Sequence, residues 1–201
     1  MRLRSISVLL ALALSLMAVG CGGGGGEGGV GGGGGGEGGV GQQQFTLSST
    51  AFRNNEAIPL KYASTELGGQ DVSPPLQWSN PPAGTRSFVI TCIDLDADGF
   101  VHWVVYDIPA NLSGLPENVP KQPQPQVNGA QVKQGQNDFD GVGYGGPAPP
   151  PGETHRYQFT VYALSVDTLN LPAGANLQQV TQAMQGKILA TATLTGTFRS
   201  R

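Results

Sequence analysis

The chain has two histidines, and each stands at the entrance of an apolar run: His102 in "FVHWVVYDI" and His155 in "GETHRYQFTVYAL". A carboxylate pair, Asp94 and Asp96, sits shortly before His102 in "DLDADG". These residue types support three chemistries. Two imidazoles and a carboxylate make a metal-ligand set, but no close histidine pair of the HExxH kind exists. "DLDADG" copies the opening of a calcium loop, yet the twelfth position falls on Val105, where a bidentate glutamate is needed. A polar hairpin turn accounts for the same residues. Thirdly, a carboxylate beside an imidazole favours the imidazolium. Two such rings at adjacent strand mouths would hold a phosphate, with backbone amides of the glycine-rich "YGGPA" as further donors. Taken singly, either histidine needs no role beyond capping a strand end.

Other chemistries are poorly served. No GxSxG elbow exists, and the serines lie in turn-like or strand-edge settings. No glycine-rich stretch precedes a helix as a nucleotide-binding loop requires. Basic residues form no run, which argues against nucleic acid as a partner. Cys92 lies within "SFVITCID" and reads as a small buried hydrophobe rather than a nucleophile or half of a disulfide.

The elements that must position these groups are mostly strands. "FTLSS", "AIPLKYAS", "PLQWS", "RSFVITCID", "VHWVVYDI", "RYQFTVYALS" and "KILATATLTGTFR" are rich in β-branched and aromatic residues. "SFVITCI" is apolar on both alternations, as a central strand covered on two faces would be. "TATLTGTF" alternates threonine with other residues and reads as half-exposed. One helix is expected around Ala175–Gln185, where Leu177, Val180 and Met184 recur at helical spacing, with Asn176 as cap and Gly186 as stop. The class is mostly β, a sandwich. A long Pro-, Gly-, Gln- and Asn-rich segment joins Ile108 to Arg156; within it, Phe139 and Tyr144 are large enough to dock.

Ahead of this domain lie two segments of other kinds. Residues 1–20 read as a signal peptide: two arginines, an apolar core, then small residues before Cys21. The ending "AVGC" resembles a lipobox, with Ala18 where leucine is usual, and predicts a lipid on Cys21. Residues 21–44 form a tether in which "GGGGGEGGVG" occurs twice, Gly22–Gly31 and Gly32–Gly41. Glycine loses the most backbone entropy on ordering and buries no side chain, so the repeats have no core to build. The third segment, 45–201, is long enough for one domain. Loss of Arg2 and Arg4 with the signal leaves nine basic against 14 acidic residues, a net charge of −5.

"SPPLQWSNPPAGTRSFVITCIDLDAD", "HWVVYDIP" and "GYGGPAPPPGETHRYQFTVYAL", in that order, resemble the phosphatidylethanolamine-binding protein family, above all its bacterial, Raf-kinase-inhibitor-like branch. The resemblance runs from about Phe45 to Phe198. It implies a β-sandwich with a Greek-key-type main sheet, one or two short helices, and a small anion pocket at one end of that sheet. By motif, Asp94 and Asp96 are the pocket aspartates, His102 the first histidine, and His155 and Tyr157 the contribution of the H-R-Y segment. Gly146 to Ala148 line the rim. The two histidines would then meet across neighbouring strand ends, and Arg156 would point away from the pocket. Leu95 departs from the usual proline of D-P-D, the loop to His102 is short, and Pro151 replaces a lysine. The implied role is a lipid-anchored, extracytoplasmic binding module for a small anion or phospholipid headgroup, with no cofactor and no enzymatic step. Inhibition of a protease or other protein partner through the surface is the alternative.

Overall fold

The computed structural model describes residues 43–201; the signal, Cys21 and the glycine repeats lie outside the described residues. Its elements in chain order are β1 (Thr46–Ser48), β2 (Leu76–Ser79), β3 (Ser87–Asp94), β4 (Val101–Pro109), β5 (Gly114–Leu115), β6 (Gln126–Val127), β7 (Ala130–Gln131), β8 (Lys133–Gln134), β9 (Thr154–Leu164), α1 (Leu177–Met184) and β10 (Ile188–Arg199). The main sheet has the order β10-β9-β3-β4-β8, and all its pairings are antiparallel. β3, β4 and β8 lie side by side in chain order, and β9 returns by a long connection to pair with β3, which is the Greek-key arrangement. A smaller antiparallel sheet, β1-β2-β5, faces it, and β6-β7 form a short ribbon.

Two apolar layers hold this architecture. Between the sheets, Leu47, Leu76 and Trp78 pack with Phe88, Ile90, Cys92, Trp103 and Phe159. The Trp78 and Phe88 rings lie 5.1 Å apart, within the range of favourable aromatic pairs. On the opposite face, Val89, Val104, Tyr106 and Leu164 pack with Val180 and Met184 of α1. β3 therefore feeds both layers, as its two-sided apolar pattern predicts, while β10 alternates exposed and buried positions along much of its length. α1 begins at Asn176, whose side chain accepts from the Gln179 backbone while the Gln179 side chain accepts from the Asn176 backbone. This reciprocal pair satisfies two of the orphan donors of a helix start.

One expected strand is absent. In "AIPLKYAS", Leu60–Tyr62 forms a 3-10 turn, followed by a second at Thr65–Leu67. Pro59 (φ −58°) supplies no N–H for a ladder, and the segment's one sheet-like contact is a bridge from Ala57 to Thr197. The long connection after β4 is pinned at Tyr144, which is buried, donates to the Tyr62 carbonyl at 3.1 Å and meets Trp103 edge-on. Phe139, in contrast, remains 45% exposed.

Candidate ligand-binding site

Strand periodicity places the first of the site residues. On β9, His155 and Tyr157 share the face of Phe159 and are buried, whereas Thr154 and Arg156 point to solvent. Asp94, the last residue of β3, stands directly opposite Tyr157. His102 reaches the same side by a different device. In the β3–β4 ladder Cys92 pairs with Trp103 and Ile93 with Val101, so His102 is the extra residue of a bulge. Val101 packs with Val104 in the layer next to α1, and His102 turns the other way, meeting Tyr157 edge-on with ring centroids 5.0 Å apart. A bulge that re-aims one side chain is common beside functional sites.

Asp94, His102 and His155 border an open cavity of about 420 Å³ at one end of the main sheet, whereas Tyr157, expected as a ligand-binding residue, is not among its walls. Asp94, Asp96, His102, Ala148, Glu153 and His155 are among its walls, with Phe100, Phe139, Pro149 and Pro150 supplying apolar surface. His155 stands between two carboxylates. Its Nδ1–H donates to Asp94 Oδ2 at 2.8 Å, and Nε2–H donates to Glu153 Oε2 at 3.1 Å. Burial by itself would lower the pKa of this ring, but the hydrogen bonds to Asp94 and Glu153, and then their charges, raise it above the ordinary histidine value. Asp94 also accepts from the Asp96 backbone N–H at 2.9 Å, which fixes the carboxylate in place.

His102 is the electrostatic opposite. It is 2% exposed, and burial lowers its pKa; the hydrogen bond to Gly145 and the charges of Asp94, Asp138 and Asp71 oppose this without reversing it. Nδ1–H donates to the Gly145 carbonyl at 2.7 Å. The neutral ring therefore keeps the lone pair on Nε2, an acceptor with no partner among the described residues. Tyr157 is buried between its strand partner Asp94 and the His102 ring. Burial first, then the nearby Asp94, raise its pKa well above the usual phenol range, with the Ala148 amide acting in the other direction. Its buried hydroxyl has no hydrogen bond of ordinary geometry.

Comparison with known proteins identifies this framework. Residues 48–199 match the family described as phosphatidylethanolamine-binding protein. The chain belongs to that family. Among the family's relatives, a "UPF0098 protein" of Aquifex aeolicus is 49% identical over 154 residues, covering 75% of this chain and 86% of its own. The UPF0098 protein YbhB of Escherichia coli is 39% identical, over 76% of this chain and 98% of its own. The crystal structure of E. coli YbcL, described as a new member of the mammalian PEBP family, superposes with a TM-score of 0.70 at 31% identity, covering 79% of this chain and all of that one.

Within this phosphatidylethanolamine-binding protein fold, several sequence expectations are corrected. The histidine-bearing strands are not neighbours: β3 lies between β4 and β9, and Asp94 at its end reaches His155. Asp96 is at the rim with its charge already matched. It accepts from Arg156 Nε at 3.0 Å, Arg156 Nη2 at 2.7 Å and the Arg156 backbone N–H at 2.7 Å, and these bonds hold its carboxyl down at about 2. Gly146 is not a cavity wall. It packs against the Tyr62–Ser64 backbone, where a β-carbon would come within 2.5 Å of the Tyr62 carbonyl oxygen, and its N–H donates to Asp71 Oδ1 at 2.7 Å. Gly145 N–H is likewise taken, by the His102 carbonyl at 2.8 Å. The amides of these two glycines are thus committed within the protein; Ala148 of the same stretch does line the cavity. Among the described residues, no group of three His, Cys, Asp or Glu side chains is placed to hold a metal ion.

Sequence reasoning passed over Glu153 and treated Phe139 only as a docking group. The alternation that pairs His155 with Tyr157 extends one step back to Glu153, so that signal was present in the sequence. Cys92 is buried and free, and burial pushes its thiol well above the ordinary value, leaving it unreactive.

Proposed function

We propose that this chain is a lipid-anchored, extracytoplasmic binding module of a bacterial envelope whose cavity takes a small phosphate-bearing ligand of the phospholipid-headgroup kind. The observation that carries this reading is His155, a ring with a raised pKa beside Asp94, in a cavity open to solvent. A phosphate that displaces the exposed Glu153 carboxylate from Nε2–H receives a charge-assisted donor from the imidazolium. The carboxylates of Asp94 and Glu153 and the free lone pair of His102 Nε2 are acceptors, which match an ammonium group. A ligand bearing both charges therefore satisfies the site better than phosphate alone. The family's name, with its reference to phosphatidylethanolamine, accords with this chemistry. Anchoring rests on "AVGC" and Cys21, outside the described residues.

Calorimetric titration of phosphoethanolamine and inorganic phosphate tests the reading. Phosphoethanolamine is expected to bind more tightly, and His155→Ala to weaken both. Absence of binding by either compound would favour the second reading, a surface inhibitor of a protein partner. Leu60 and Leu95, 52% and 41% exposed, offer apolar contacts for such a partner.

A further inference from the structure

Phe139 stands between two cavities. It lines the site cavity with His102 and Ala148. It also lines a separate cavity of about 290 Å³, whose walls include Ser64, Asp71, Lys121, Asn137 and Tyr144. The ring meets Phe100 edge-on at 4.8 Å and His102 edge-on at 5.2 Å. It lies flush on Gly145, where a β-carbon would approach Phe139 Cδ2 to 2.4 Å. No side chain other than hydrogen fits beneath the ring.

The loop carrying Phe139 is built rather than loose. Asn137 is 8% exposed; its Oδ1 accepts from the Phe139 N–H at 3.1 Å and the Gly141 N–H at 3.0 Å, and its Nδ2 donates to the Gly143 carbonyl at 2.9 Å. The adjacent Asp138 accepts from the Val101 N–H at 2.8 Å, tying the loop to the start of β4. An aromatic side chain is thus held at the mouth of a pocket with nearly half its surface in water, at a cost in hydrophobic stabilisation. The second cavity is polar. Asp71 and Lys121 form an ion pair at its wall, and Asn137 and Ser64 present further hydrogen-bonding groups.

We propose that Phe139 is the size-determining side chain of the binding site, a wall that confines the ligand to the His155 cavity and shuts it out of the polar cavity behind. The proposal rests on the pocket reading above and adds to it a specificity residue. With the ring removed the two cavities join, and a ligand carrying a hydroxylated substituent on its phosphate gains a place for that substituent among Asp71, Asn137 and Lys121.

The test is calorimetry with phosphoethanolamine and glycerophosphoethanolamine on wild type, Phe139→Leu and Phe139→Ala. The ratio of the two affinities should move toward the larger compound by about tenfold in Phe139→Ala, the scale of discrimination set by a change of pocket size, with Phe139→Leu between. Thermal melts of the variants should remain cooperative, with a modest fall in melting temperature for the lost contacts with Phe100 and His102. An unchanged ratio while phosphoethanolamine still binds would overturn the wall and leave the pocket reading standing. Failure of both compounds to bind any of the three proteins would overturn the pocket reading and this proposal with it.

Discussion

Replacing Asp94 by asparagine removes one charge and almost no volume. Asp94 is 3% exposed and makes two contacts: Oδ1 accepts from the Asp96 N–H at 2.9 Å, and Oδ2 accepts from His155 Nδ1–H at 2.8 Å. The amide oxygen of asparagine can keep the first. Its NH2 group then faces Nδ1, which can answer only as the acceptor of a neutral ring. The lost interaction is a charge-assisted hydrogen bond, worth about 1.5–3 kcal/mol, and its loss should lower the melting temperature by roughly 3–12 °C. The deficit depends on pH. His155 has a raised pKa in the folded state, so its imidazolium stabilises the fold fully below the unfolded histidine value and loses that contribution as pH rises through the folded value. The gap between wild type and Asp94→Asn should therefore be wider near pH 6 than near pH 8.5, around the ordinary histidine value of about 6.5. Denaturant unfolding at both pH values and an NMR titration of the His155 ring measure this directly. Glu153→Gln is the control. Glu153 contacts the same ring at 3.1 Å, but its side chain is 59% exposed, and solvent-exposed ion pairs contribute about 0–1 kcal/mol. If Glu153→Gln lowers the His155 pKa more than Asp94→Asn does, or if the stability gap widens with rising pH, the reasoning is refuted.

Further outcomes follow from the same geometry. Binding of phosphoethanolamine should strengthen as pH falls from about 8 to 6, the range of a titrating histidine, and His155→Ala, unlike His102→Ala, should abolish that dependence, since burial keeps His102 neutral. Glu153→Gln should tighten binding of inorganic phosphate severalfold by freeing His155 Nε2–H, read by calorimetry. Gly146→Ala should cost about 1–3 kcal/mol in a thermal melt, the scale of overpacking a tight site, because its methyl group would press on the Tyr62–Ser64 backbone. Cys21→Ser should move the protein from the detergent phase to the aqueous phase on partitioning and remove the lipid mass; unchanged partitioning would refute anchoring.

Much of the fold was legible because burial writes directly on strand periodicity. "SFVITCID" is apolar on both alternations and does lie at the centre of the main sheet, between β4 and β9. Asn176 was legible as a cap because its side chain competes for backbone donors wherever a helix begins. "AIPLKYAS" misled for a reason the pattern does not carry. Its residues have strand propensity, but Pro59 removes a donor and the chain there has almost no partner strand, so local turns satisfy the backbone instead. Propensity in strands measures packing against neighbours, and here the neighbours are lacking.

The candidate site was legible in part of its residues, since Asp94, His102 and His155 do meet at one cavity, and less so in its charges. Alternation alone puts His155 and Tyr157 on one face, but His102 sits at an odd number of positions from Trp103 and Val105, the β4 residues on that face, and by alternation alone it would face α1. The bulge at His102 reverses that, and nothing in "FVHWV" announces a bulge. The consequence is chemical as well as geometric. Because the bulge buries His102 against Phe100, Phe139 and Tyr157, desolvation outweighs the neighbouring carboxylates and lowers the pKa of the ring. His155 lies against two carboxylates that hydrogen-bond to it and raise its pKa. Two histidines that look equivalent in the sequence are thus assigned opposite roles, one donor and one acceptor. On the proposed reading, a cavity with a donor imidazolium, an acceptor imidazole and two carboxylates around it should repel a bare phosphate in part and favour a phosphate that brings its own ammonium group. Any selectivity between those ligands would then rest on the difference between the two rings, and that difference comes from one extra residue in the β4 ladder.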